Sequence, residues 1–285
     1  MKPSPDSSPT PYPDLNAVLA DLTSSLQTLL GAGLVGVYLQ GSFAVGGFDP
    51  HSDVDFVVAV PQELTAQQVA VLNEMHTRIY QGNCPWAQHL EGSYFPLDVL
   101  RDINWAGQPL WYLDHGSQTL ERLQHCNTVV VRWTLRQHGV TLAGPPPTGL
   151  VDAIPAAELR QEIFDTLHSW GREILAEPQR YNNRFYQGFI VLSYCRMLRD
   201  LVVGETGSKR DGAEWAKHNL DPAWDGLIER AWDCRPDPAR QVRQPADPQE
   251  FERSLAFVRH ILQASLPVAE SLQLSHRAAG TDLPA

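Results

Sequence analysis

The chain has 285 residues, 43% apolar and 19% charged, enough for one large or two medium domains with real cores. Its formal net charge of −11 argues against a general nucleic-acid binder, which would show a basic face; such a charge serves solubility or suits a cationic acceptor drawn in by long-range steering. No apolar run approaches the roughly 20 residues that span a bilayer, and Cys84, Cys126, Cys195 and Cys234 lie too far apart for a zinc-type pair, so free thiols in a reducing cytoplasm are expected.

In chain order, residues 1–12 lack the apolar core of a signal peptide and read as a flexible tail. Leu19, Leu22, Leu26 and Leu29 or Leu30 recur at helical spacing, which predicts a helix over Leu15 to Leu30. Leu34 to Leu39 and Phe56 to Val60 are short apolar runs rich in β-branched or aromatic residues and bounded by turn residues, so both read as strands. A glycine-containing loop opened by Gly41-Ser42 and closed by Ser52 joins them. Thr65 to Tyr80 reads as a core-facing helix and Leu90 to Val99 as a third strand, with Glu91 at its start and Asp98 near its end. Between Trp105 and Trp133 aromatic and polar groups mix, including Trp105, Trp111, Asp114, His115 and His125. Such a mixture suits either a small-molecule pocket or interdomain packing, and the irregular histidine spacing gives no metal motif. Gly144-Pro-Pro-Pro-Thr-Gly149 reads as a linker, because proline stiffens it and continues neither helix nor central strand. Downstream the strand-like runs stop. Helical patterns cover Ala156 to Leu175, Phe185 to Val203, Gly212 to His218, Trp224 to Trp232 and Pro248 to Leu266.

The chemistry concentrates in VYLQGSFAVGGFDPHSDVDFVVAV, Val37 to Val60. Gly41 lets backbone approach a ligand, and Ser42 offers a hydroxyl and an N–H to a phosphate oxygen. If Asp53 to Val60 is one strand, Asp53 and Asp55 project from one face. Two neighbouring carboxylates repel unless a cation lies between them, and Mg2+ held by carboxylates and substrate phosphates is the usual arrangement. Glu91 or Asp98 could add a third carboxylate to the metal or act as general base.

The order strand, Gly-Ser, loop, Asp-x-Asp, strand resembles the signature of the nucleotidyltransferase superfamily with a polymerase β-like palm. GSFAVGGFDPHSDVDF, together with Val191 to Ala216 (Arg196, Gly204, Lys209 and Glu214-Trp215-Ala216), resembles the streptomycin–spectinomycin adenylyltransferases. The resemblance implies an α+β protein: a nucleotidyltransferase domain with a mixed sheet over 13–148, an all-α helical bundle over 149–274, and a second tail at 275–285. It implies transfer of AMP from ATP to a hydroxyl of a small acceptor with pyrophosphate release, Mg2+ on Asp53 and Asp55, and a cytoplasmic monomer. Gly41, Ser42 and Ser52 then contact the triphosphate, and Glu91 is the base with Asp98 in reserve. Arg196 and Lys209 reach the phosphates from the helical domain. Lysine is scarce here, the others being Lys2 and Lys217, and a flexible ammonium suits a polyphosphate. Streptomycin-specific members carry acidic residues just ahead of the buried helix, where this chain has Asn182 and Tyr186, so a less cationic or broader range of acceptors is expected. Trp105, Trp111, Asp114 and His115 are candidates for replacement contacts. Two other readings remain open at this stage: a nucleotidyltransferase acting on a protein or RNA, as in toxin–antitoxin pairs, and a non-catalytic nucleotide-binding module.

Overall fold

The computed structural model describes residues 8–235 and 241–275, so most of both expected tails lies outside the described residues. Within the first tail, Thr10 is buried and hydrogen-bonded to Asn16. The Tyr12 ring meets Phe43, Phe48 and Trp86. The fold is α+β, a mixed six-stranded sheet with helices followed by a helical region. Contacts divide the described chain into two units, one of residues 8–48 and 52–154, the other of residues 49–51, 155–235 and 241–275.

The first unit runs α1 (Pro13–Leu30), β1 (Gly36–Leu39), α2 (Gly41–Val45), β2 (Val54–Val60), α3 (Ala66–Tyr80), β3 (Leu90–Pro96), α4 (Leu97–Arg101), β4 (Leu110–Leu113), β5 (Leu120–Leu123), α5 (Val129–His138) and β6 (Val140–Ala143). The sheet order is β5-β4-β3-β2-β1-β6. β2 and β3 are parallel and the other neighbours antiparallel. A parallel pair needs a crossover, and α3 supplies it. Pro13 opens α1 at a position where the missing N–H costs nothing. Thr65 and Gln68 form a capping box that starts α3.

Both sheet faces are covered, which is why the strands read as nearly continuous apolar runs. Val37, Leu39, Val54, Phe56, Val58 and Val60 pack with the leucines of α1 and the Val69, Leu72, Met75 and Ile79 stripe of α3. Tyr38, Val57, Ala59, Phe95 and Leu110 face the other way, with Val129 and Leu135 of α5. β4, β5 and the start of α5 lie where the sequence offered only an aromatic and polar mixture, and β6 follows in a stretch to which the sequence assigned no element. They are four to ten residues long, too short for periodicity to declare them.

Two expectations are corrected. The segment after Gly41 is not an open loop throughout, because α2 occupies Gly41–Val45 and ends at Gly46 with φ +79°. Phe43 anchors it, buried and stacked on Phe48 at 4.8 Å between ring centroids. The proline stretch is no free linker either. Tyr38 donates to the Pro145 carbonyl at 2.8 Å, Pro147 is buried, and Leu150, Val151 and Ile154 join the core of the first unit.

His76, on α3, is buried and shares a 2.7 Å hydrogen bond with the Tyr94 hydroxyl. Burial disfavours its charged form and pushes its pKa down to about 3. Between that value and the ordinary 6.5 the unfolded chain holds a proton that the folded chain lacks, so stability falls as pH falls through this window. One such proton contributes a slope of up to about 1.4 kcal/mol per pH unit. Urea unfolding between about pH 4 and 6 should therefore show a shallower pH slope in His76→Phe. An unchanged slope would mean that His76 does not fold as the neutral form.

The second unit is helical: α6 (Ala156–Ala176), α7 (Arg184–Val203), α8 (Lys209–Asn219), α9 (Asp225–Asp233) and α10 (Pro248–Ser271). Its core gathers Leu167, Ile174, Ile190, Tyr194, Leu198, Leu227, Leu255, Val258 and Ile261. α7 starts at an Asn183 cap and stops at Gly204 with φ +80°. Ser208 and Asp211 form the capping box of α8. No helix among the described residues is long and apolar enough to cross a membrane.

Candidate active site

Strand parity places the acidic groups. Asp55 alternates in phase with Val57 and Ala59, and Glu91 with Phe95, all on the α5 side of the sheet. The parallel register sets Asp55 directly beside Glu91. On the next strand Tyr112 follows the parity of Leu110 and projects from the same side. Asp53 lies one residue before β2, at the same end of the sheet. The four polar groups thus gather where β2 and β3 begin and β4 ends.

Gly41 is required there. Its φ is +59°, and a Cβ on it would sit 1.9 Å from Asp55 Oδ2. The turn is held by the Gln40 N–H donating to the Asp55 carbonyl at 3.0 Å and by the Gln40 side chain accepting from the Gly41 N–H. Ser42 follows, its Oγ buried and without a hydrogen-bond partner. Ser52 is half-buried just ahead of Asp53.

Tyr112 donates its hydroxyl to Glu91 Oε1 at 2.5 Å and approaches Asp114 Oδ1 at 3.3 Å. The Cys126 thiol lies 3.9 Å from the same Glu91 oxygen, and His125 Nε2 lies 3.8 Å from it. Burial raises the Glu91 carboxyl above its ordinary value; the Tyr112 hydrogen bond opposes that rise, and the Asp53 charge adds to it. Burial and the Glu91 charge push the Tyr112 phenol and the Cys126 thiol upward, so both stay protonated and act as donors.

The structure gathers Gly41, Ser42, Ser52, Asp53, Asp55, Glu91 and Asp114 in the first unit. It removes Asp98 from the group. Asp98 is exposed in α4, beyond the far end of β3, and the five strand steps from Glu91 to Pro96 already carry the chain about 17 Å away. Trp111 takes the opposite strand parity from Tyr112 and packs on the α1–α3 side, under the Arg122 guanidinium at 5.6 Å, which takes it off the Glu91 face. Trp105 is 46% exposed in a 3₁₀ turn, and its carbonyl accepts from Asn127.

Arg196, Lys209, Asn182 and Tyr186 belong to the second unit. Phe189 and Arg196 are seven residues apart and share one face of α7. The Lys209 ammonium lies over the Phe189 ring at 4.2 Å, and α8 crosses so closely that a Cβ on Gly212 would meet the Arg196 backbone at 2.5 Å. Asn182 is exposed and donates to Gln179, while the Tyr186 ring meets Tyr181 and Phe185.

Tyr112, His115 and His125 stood in the aromatic and polar mixture, but the sequence did not place Tyr112, His125 and Cys126 around Glu91, nor His89 and His115 beside Asp53. They stand on separate strand ends and turns, so no fixed spacing links them. The one available signal was the parity of a strand too short to be recognised.

A Gly-Ser turn set against the first of two parallel strands, with Asp-x-Asp beginning one strand and Glu the other, defines a nucleotidyltransferase. The family model described as a nucleotidyltransferase domain matches residues 20–94, and that of the aminoglycoside adenylyltransferase C-terminal domain matches residues 149–262. The chain thus carries a nucleotidyltransferase domain followed by a region that matches the C-terminal domain of aminoglycoside adenylyltransferases, and in that pairing it is aminoglycoside adenylyltransferase-like. Among its relatives, an aminoglycoside (3'') (9) adenylyltransferase of Shigella flexneri is 24% identical over 233 residues, 75% of this chain and 86% of that one. A spectinomycin 9-adenylyltransferase of Staphylococcus aureus is 26% identical over 202 residues, 67% and 74% of the two chains. The crystal structure of spectinomycin adenyltransferase from Enterococcus faecialis with ATP and spectinomycin shares the fold. Its TM-score is 0.64 at 16% identity, covering 87% of this chain and 98% of that one.

Proposed function

We propose that this protein transfers AMP from Mg-ATP to a hydroxyl of a small aminoglycoside-like antibiotic, with release of pyrophosphate. The observation that carries the reading is the parallel register of Asp55 beside Glu91, with Gly41 closed against Asp55. The residues fit a metal–nucleotide substrate. Ser42 Oγ is buried without a hydrogen-bond partner, Gly41 lets the Asp55 carboxylate sit against the turn where a Cβ would collide with it, and Asp53 and Asp55 supply hard oxygen donors.

Asp53 and Asp55 would hold Mg2+, which when bound offsets triphosphate charge and favours attack at the α-phosphorus. Ser42 and Ser52 donate to phosphate oxygens, and Gly41 admits them close to backbone. Arg196 and Lys209 are proposed to add positive charge to the phosphates, a role for which they are the matching cations of the helical region. Glu91 takes the proton of the attacking hydroxyl, its carboxylate oriented by the Tyr112 hydroxyl. Its raised affinity for a proton makes it a stronger base than an exposed carboxylate.

Asp114, next to Tyr112, and the exposed Trp105 are proposed acceptor contacts, joined by Asn182 and Tyr186. The last two carry no charge, which favours an acceptor with fewer positive groups than streptomycin. Two relatives named for spectinomycin support that choice. The test is pyrophosphate release with Mg-ATP across spectinomycin, streptomycin and other aminoglycosides, beside an Asp53→Asn control. Acceptor-dependent release that the control lacks is expected, greatest with spectinomycin. Release independent of every acceptor, or none at all while Mg-ATP binds, would overturn the antibiotic reading.

A further inference from the structure

His89, His115 and Asp53 come from three separate segments: the end of the 3₁₀ turn before β3, the turn after β4, and the residue before β2. Their donor atoms converge. His115 Nε2 lies 3.1 Å from Asp53 Oδ1 and 3.0 Å from His89 Nδ1. The imidazoles stack with centroids 5.2 Å apart and planes at 27°. The Val54 N–H donates to the His89 carbonyl at 2.8 Å, which ties the His89 backbone to the residue next to Asp53.

One proton on His115 Nε2 serves Asp53 and His89 together only as a forked, weakened bond. A divalent cation would serve all three lone pairs at once. Tetrahedral zinc with ligands at about 2.0–2.1 Å sets neighbouring donor atoms about 3.4 Å apart. The separations here, 3.0 and 3.1 Å, are within a few tenths of an ångström of that edge. Imidazole nitrogen selects zinc-class ions, whereas Mg2+ prefers an all-oxygen shell. Asp53 and His115 are partly exposed, at 48% and 36%, so water can complete the coordination.

We propose that His89 Nδ1, His115 Nε2 and Asp53 Oδ1 form a second, nitrogen-rich site for a zinc-class divalent cation, and that an ion bound there competes for Asp53 with Mg2+. The competition rests on the proposed function; the binding does not. An enzyme so built would be restrained by free zinc and released by chelation.

Cobalt is the probe. Titration of the chelator-treated full chain with Co2+ should give visible d–d absorption that saturates at one equivalent and is abolished by competing Zn2+. His89→Ala and His115→Ala should each weaken Co2+ binding at least about tenfold. His89→Gln, which better keeps the side-chain volume, guards against loss through unfolding and should behave likewise. His125→Ala should bind as the parent does. Absence of Co2+ uptake, or uptake indifferent to the His89 and His115 changes in folded protein, would overturn the site. In the pyrophosphate assay Zn2+ should inhibit the parent and spare His89→Ala; equal inhibition of both would overturn the competition. A protein that binds Co2+ through these histidines yet turns over no acceptor would leave the metal site standing and remove the transfer reading alone.

Discussion

Asp55→Asn is expected to lower pyrophosphate release by about a thousandfold or more, while the protein melts as the parent does. Asparagine keeps the shape of the side chain and removes one charge from a pair that would hold Mg2+. Metal stabilisation of a phosphoryl centre amounts to several kcal/mol, and each 1.4 kcal/mol is tenfold in rate. Asp55 has no substitute nearby, because Gly41 is pressed against its carboxylate and Glu91 occupies the neighbouring strand position. Steady-state release at saturating ATP and acceptor checks this. A rate within tenfold of the parent would take Asp55 out of the metal site.

Glu91→Gln should cost about 10²- to 10⁴-fold in kcat, the range for a positioned general base, with ATP affinity little changed. Tyr112→Phe separates base from scaffold. The Tyr112 hydroxyl donates to the Glu91 carboxylate and so favours its charged form, holding the pKa below where burial alone would put it. Removing that donor raises the Glu91 pKa, so the acid limb of kcat/KM should move to higher pH in Tyr112→Phe and vanish with Glu91→Gln. The Asp53 charge pushes Glu91 the same way, so a divalent cation on Asp53 opposes the shift, and raising Mg2+ should move the limb back down. An acid limb at the same pH in Tyr112→Phe and the parent would mean that another group titrates.

Gly-Ser, the Asp-x-Asp pair, Glu91 and the helical stripes from Leu15 to Leu30 and from Ala156 onward were legible in the sequence by themselves. Each is a local pattern: side-chain period within one element, or residue types bracketing one turn. The same locality explains the errors. Asp98 and Glu91 sit on one stretch of chain and look interchangeable, but a strand rises about 3.3 Å per residue, and only Glu91 stays at the end where Asp55 lies. Trp111 and Tyr112 are adjacent in sequence and face opposite sides of the sheet.

Tertiary structure alone decided the company these residues keep. The parallel pairing of β2 with β3 brings Glu91 to Asp55, and the antiparallel return of β4 brings Tyr112 to Glu91 and His115 to Asp53. Those contacts join residues 21 and 36 positions apart or more, a separation set by loop lengths and strand register rather than by any repeat. The sequence by itself determined which groups could handle a metal, a phosphate and a proton; register determined which of them meet, because a strand fixes both the face and the height of every side chain it carries.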